Sequence, residues 1–189
     1  MKNAILFACL LFINTSFAQL NKTYFIERTA TRSIELSDPL NHWLQEINAS
    51  DDSCQTFIAM LQHALTKGAL RAYHDINDTI AMDQLSKATA ISTTCDRYIF
   101  LEKWRFVPEI RKMVIIVAGI APAYCEANDT VYKPLFWINY DSLRAISAHY
   151  YVAGTKMSVD DYFESRNFKS RIINVVVTDT IYYLQKAGN

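Results

Sequence analysis

The chain has 189 residues with 19 basic and 19 acidic side chains, so it lacks the positive excess that nucleic acid or an anionic membrane surface selects. Hydrophobic residues make up 51% and aromatic residues 13%, against 4 Gly and 4 Pro, which excludes a disordered chain and supports a sizeable core. Four cysteines are too few for a disulfide-dense scaffold.

Met1 to Ala18 has the plan of an export leader. Lys2 is the basic start, Ile5 to Ile13 the apolar stretch, and Ser16-Phe17-Ala18 places small residues three and one before a cut. Cleavage is expected after Ala18, leaving a soluble exported chain that begins at Gln19. The apolar stretch is too short for a helix across a hydrocarbon core of roughly 30 Å. Cys54, Cys95 and Cys125 remain after that cut, enough for one disulfide whose pairing the sequence leaves open.

Gln19 to Arg32 is polar with scattered apolar residues and reads as a flexible N-terminal arm, with a single domain from Ser33 to Asn189. Ile34-Glu35-Leu36 predicts a short strand, stopped by Ser37-Asp38-Pro39. Leu40, Trp43, Leu44 and Ile47 recur at helical spacing. Asp51-Asp52-Ser53 predicts the cap of a helix whose stripe is Cys54, Phe57, Ile58, Leu61, Ala64 and Leu65, ended by Gly68. A short strand over Ala69–Tyr73, a turn over His74–Thr79 and a short helix over Met82–Ala90 follow.

Arg97 to Phe106 has strand composition. Met113 to Ile120 is continuously apolar and predicts a central strand buried on both faces. Val131 to Tyr140 predicts a third strand interrupted at Pro134, at an edge or a bulge. Asp141 is expected to cap a helix bearing Leu143, Ile146 and Tyr150. Ser158-Val159-Asp160-Asp161 resembles a capping box, and Phe168 to Val177 returns to strand patterning. The sum is an α+β fold, a mixed antiparallel sheet with flanking short helices. Leu61, Trp104, Ile116 and Phe136 are expected inside.

Candidate chemistry is sparse. His42, His63, His74 and His149 show no metal-ligand spacing, so no metal site is expected. Asp75-Ile76-Asn77-Asp78-Thr79 lacks the glycine and closing glutamate of a calcium loop and reads as an Asx-turn. No Gly-x-Ser-x-Gly occurs, and none of the three later cysteines adjoins a histidine. Glu102 and Glu109 around Trp104 are more simply a solvated face than a carboxylate pair. No catalytic residue and no cofactor are expected. Asp-Ser/Thr-aliphatic triplets at Asp78 and Asp129 make Thr79 and Thr130 candidate O-glycosylation sites, and Asn21, Asn48, Asn77 and Asn128 begin N-x-Ser/Thr sequons.

Several blocks carry a family resemblance. These are Leu101-Glu102-Lys103-Trp104-Arg105-Phe106, Gly119-Ile120-Ala121-Pro122, Lys133-Pro134-Leu135-Phe136-Trp137-Ile138 and Asp160 to Phe168. Ser33 to Asn41 and Gly68 to Tyr73 match more loosely. Together they resemble GldN/PorN-type proteins, the gliding-motility-associated components of the type IX secretion system of Bacteroidota. The chain departs from that family where Ile115-Ile116-Val117 replaces a usual Arg and where Val107 replaces a usual Asp, as a divergent paralogue would.

The resemblance implies a non-enzymatic periplasmic subunit at the inner face of the outer membrane. It would form a ring with a GldK/PorK-type outer-membrane lipoprotein and meet a GldM/PorM-type motor shaft. Trp104, Trp137, Arg166 and Phe168 are the expected partner-binding residues, with Arg166 as the polar anchor; an intramolecular salt bridge is its alternative. A small periplasmic hydrolase or a stand-alone ligand-binding protein are the rival functions.

Overall fold

Residues 24–49, 54–78, 81–82, 95–125 and 132–183 are described by the structure, a computed structural model. The chain divides into two compact units. The first comprises Met1–Arg28, Trp104–Ile115 and Val177–Asn189, and the second Thr29–Lys103 and Ile116–Val176. The expected leader, the Asp51-Asp52-Ser53 cap, residues 83–90 of the expected Met82–Ala90 helix, Thr79 and Thr130 lie outside the described residues.

Strands β1 (Tyr24–Glu35), β4 (Arg97–Val107), β5 (Lys112–Cys125), β6 (Tyr132–Pro134), β7 (Ile138–Asn139) and β9 (Arg171–Tyr183) form one sheet. Its order is β6-β5-β4-β1-β9, with β7 also pairing β5. A second sheet joins β2 (Ile47–Ala49), β3 (Cys54–Gln55) and β8 (Tyr150–Val152) in the order β3-β2-β8. Helices α1 (Phe57–Thr66), α2 (Tyr140–Ser147) and α3 (Val159–Ser165) complete the α+β arrangement.

Local chemistry explains most element ends. Thr56 Oγ1 accepts from Ala59 N at 3.1 Å and starts α1, so Cys54 belongs to β3 and not to the helix stripe. Gly68 follows α1 at φ 71°, a left-handed conformation that a Cβ would penalise. Asn139, two residues before the expected Asp141, caps α2 by accepting from Asp141 N at 3.0 Å. The capping box at α3 forms: Ser158 Oγ accepts from Asp161 N at 3.1 Å and donates to Asp161 Oδ2 at 2.7 Å. Asp75 Oδ1 accepts from Asn77 N at 2.9 Å, the predicted Asx-turn.

Three expectations are corrected. The expected helix over Leu40–Ile47 is a 3-10 turn over Pro39–Gln45, capped by Asp38, with Leu40 66% exposed and Ile47 already in β2. The supposed flexible arm contributes Tyr24–Arg32 to β1, which lies between β4 and β9. Met113, Val114 and Ile115, expected on a strand buried on both faces, are 55%, 46% and 37% exposed, whereas Val117, Ile120 and Ala121 are buried.

The core of the second unit is aromatic. Phe163 meets Phe100, Trp43 and Phe57 edge-on, with ring centroids 5.0, 5.2 and 5.3 Å away. Leu61 and Phe136 are buried as expected, while Trp104 and Ile116 are only half-buried. Asn41, fully buried, donates through Nδ2 to the carbonyls of Glu35 and Lys169, both at 2.8 Å, and accepts from Lys169 N at 2.9 Å. It ties the end of β1 to the entry of β9.

The interruption at Pro134 is a bulge. On one side of β5, Gly119 and Ile120 pair with Asn139 and Ile138, and Ala123 pairs with Pro134. Two residues of β5 therefore face three of the opposing segment, Leu135 to Trp137. Leu135 N donates to Pro122 O at 2.8 Å within that gap. Trp137 turns away to exchange backbone hydrogen bonds with Tyr73 at 2.8 and 2.9 Å.

Candidate functional site

The most unusual polar group in the second unit is Glu102, whose side chain is fully buried. It lies on the face of β4 that carries Tyr98 and Phe100, two residues apart along the strand, so the solvated-face expectation is corrected. A buried carboxylate persists only when paired. Arg32 of β1 supplies a 3.0 Å bond from Nε to Oε1 and a second from Nη2 to Oε2 at 3.4 Å. Arg166 donates from Nη1 to the same Oε1. Arg32 Nη1 also donates to Ser170 Oγ at 3.0 Å.

Arg166 reaches Glu102 because the chain leaves α3 through it in the left-handed conformation, φ 55°. That backbone costs a non-glycine residue about 1–2 kcal/mol, and the charge-assisted bond offsets it. The cluster thus joins β1, β4 and the end of α3. Glu102 is enclosed, so this arrangement serves fixation and leaves no carboxylate open to a substrate.

The other expected partner-binding residues separate. Phe168 is half-buried and packs edge-on against Phe100 and Phe163, at 5.7 and 6.2 Å. Trp137 is 9% exposed and packs with Ile99, Ala121 and Ala123. Trp104 belongs to the first unit, where it lines a groove of about 290 Å³ with Ile26, Arg28, Phe106 and Met113. Arg166 and Phe168 are neighbours in chain and space; Trp137 lies in a separate packing cluster of the same unit.

A second polar group escaped the sequence reading. Tyr132 lies under Arg97, with Cζ 4.5 Å from its ring centroid, and Arg171 donates to its hydroxyl. Glu35 stands 3.7 Å from Arg97 and 3.6 Å from Arg171. Strands β1, β4, β6 and β9 each contribute one of these residues, and such long-range convergence leaves no local pattern to read.

Cys95 and Cys125 are half-buried thiols. Burial pushes the Cys95 thiol up, which keeps it protonated and poorly nucleophilic at neutral pH. His42, His63, His74 and His149 are all exposed. Among the described residues no group of His, Cys, Asp and Glu could hold a metal ion, and no helix is long and apolar enough to cross a membrane.

A family model described as "Gliding motility associated protein GldN" matches residues 21–182. The chain belongs to the GldN family. Comparison with curated proteins finds no match to it. The GldN match runs from just before β1 to the penultimate residue of β9, so it embraces the Glu102 cluster and both sheets. Within the blocks that suggested the family, Glu102 and Arg166 form an ion pair, and Gly119 has a steric duty. A Cβ on Gly119 would stand 2.3 Å from Ile76 Cδ1 and 3.2 Å from Ile138 O.

Proposed function

We propose that this GldN-family, gliding-motility-associated chain is a non-enzymatic periplasmic assembly subunit of the type IX secretion and gliding machinery. In this reading the leader is cut after Ala18, and the mature chain forms a ring with a GldK/PorK-type outer-membrane lipoprotein. The ring would meet a GldM/PorM-type shaft. The observation that carries it is the family match over residues 21–182. The chemistry of the core agrees, because its buried carboxylate is neutralised by two guanidiniums and serves to hold elements together.

Co-purification from outer-membrane fractions tests the reading. The lipoprotein should be recovered with this chain in a large complex, and deletion should leave type IX cargo in the periplasm. Recovery as a monomer that ignores the lipoprotein would overturn it. N-terminal sequencing of the same material should begin at Gln19.

A further inference from the structure

The sheet order puts β6 and β9 at opposite ends, and among the described residues no backbone ladder joins them. In a flat sheet four strand spacings, about 19 Å, would separate the two. Yet Arg171 of β9 donates to the Tyr132 hydroxyl of β6, with its Cζ 5.8 Å from the ring centroid. Within the second unit the sheet therefore curls until its outer strands meet through side chains. Residues of both strands line a recess of about 610 Å³, so they are joined around open space.

Four side chains close this end of the sheet. Arg97 lies over the other partner of Arg171, with Cζ 4.5 Å from the Tyr132 centroid, and Glu35 stands 3.7 Å from Arg97 and 3.6 Å from Arg171. Both separations exceed hydrogen-bond length, so Glu35 acts on the two guanidiniums through charge. The Glu35 and Arg171 side chains are 42% and 63% exposed, against 13% for Arg97, which Asp96 holds at 2.7 Å. Attraction between exposed charges is weak and fades with salt, because the Debye length falls from about 10 Å at 0.1 M to about 3 Å at 1 M. Glu102 is the opposite case, a fully buried carboxylate bonded directly to Arg32 at 3.0 Å.

We propose that Glu35, Arg97, Tyr132 and Arg171 form a salt-sensitive clasp that holds β6 towards β9, and that screening releases β6 while the aromatic core stays folded. Glu35 is its keystone, since without that charge two guanidiniums share one phenol ring. Strand β6 is suited to local release. It has 3 residues, pairs with β5 only over Tyr132–Pro134, and the bulge beyond Pro134 interrupts the ladder. Tyr132 and Ile173 pack against the cluster of Ile99, Ala121, Ala123 and Trp137, so release widens the recess and bares that side of the cluster.

The test is hydrogen exchange, read by mass spectrometry on the full chain in about 0.1 M and about 1 M NaCl. Amides of Tyr132 and Lys133 should exchange about two- to fivefold faster in the higher salt, while those of Phe100 to Glu102 hold their rates. Glu35→Gln should give β6 the faster rate at both salt levels. Should that variant fail to fold, Tyr132→Phe, which removes the acceptor for Arg171, should quicken β6 exchange in the lower salt. A β6 rate indifferent to salt overturns the proposal. So does a rise shared equally by Phe100 to Glu102, which marks a general loss of stability, or a folded variant whose β6 exchanges like that of the unaltered chain.

Discussion

Strand β5 crosses from the first unit into the second, and its two parts differ sharply in exposure. Met113, Val114 and Ile115 are 55%, 46% and 37% exposed, while Val117, Ile120, Ala121 and Ala123 are at 6% or less. Both stretches are apolar. In the second unit the strand meets cover: Val117 and Ile120 join the large aromatic core, and Ala121 and Ala123 pack with Trp137 and Ile99. Apolar composition thus reports what a strand is able to bury, and the surrounding elements decide what it does bury.

Core truncation gives the widest contrast. Leu61→Ala and Phe136→Ala in the second unit should each cost about 2–5 kcal/mol, whereas Met113→Ala should stay within about 0.5 kcal/mol. Urea titration of the three variants measures this, and a Met113→Ala loss equal to the others would erase the distinction. Next comes the comparison of two carboxylates on one hairpin. Glu102→Ala leaves Arg32 and Arg166 facing each other and should cost about 3–5 kcal/mol; exposed Glu109→Ala should cost less than about 1 kcal/mol.

Alkali should act through the second unit as well. Burial raises the Tyr98 phenol well above 10.0, and burial followed by the Asp160 carboxylate raises Tyr140. A group whose folded value is raised contributes in full below its unfolded value, here pH 10.0, and loses that contribution as pH climbs towards the folded one. Stability should therefore fall above pH 10, and Tyr98→Phe should flatten the decline in a pH series of thermal melts. A milder loss than that at the core or at Glu102 is expected at Gly119, where alanine must displace Ile76 and press on Ile138 O. It should cost about 1–3 kcal/mol, and a paired Ile76→Ala substitution should lessen the additional penalty.

Much of the fold was legible from short-range chemistry. The strands at Arg97 and Met113, the Ser158–Asp161 box and the break at Pro134 all follow from residues within a few positions of one another. Helix starts were placed less well, because Thr56 and Asn139 compete with nearby Asp51 and Asp141, all good capping residue types. Strand β1 was hidden because its partners β4 and β9 lie far along the chain. The Glu102 cluster was half legible. Tyr98, Phe100 and Glu102 share a strand face, so alternation alone would have turned the carboxylate inward; only its guanidinium partners, 64 and 70 residues away, required the fold.

The bulge opposite Pro122 has a consequence for how the chain finds its register. Pairings on either side of it are out of step by one residue, so no uniform slide of Tyr132–Asn139 along β5 can satisfy both. Removing one residue between Pro134 and Ile138 would let β6 and β7 merge into a single regular strand, and the same change would break the Trp137–Tyr73 exchange. The extra residue works as a keyway: it admits a single register of this edge against β5 and leaves Trp137 free to bond the backbone of the distant Tyr73.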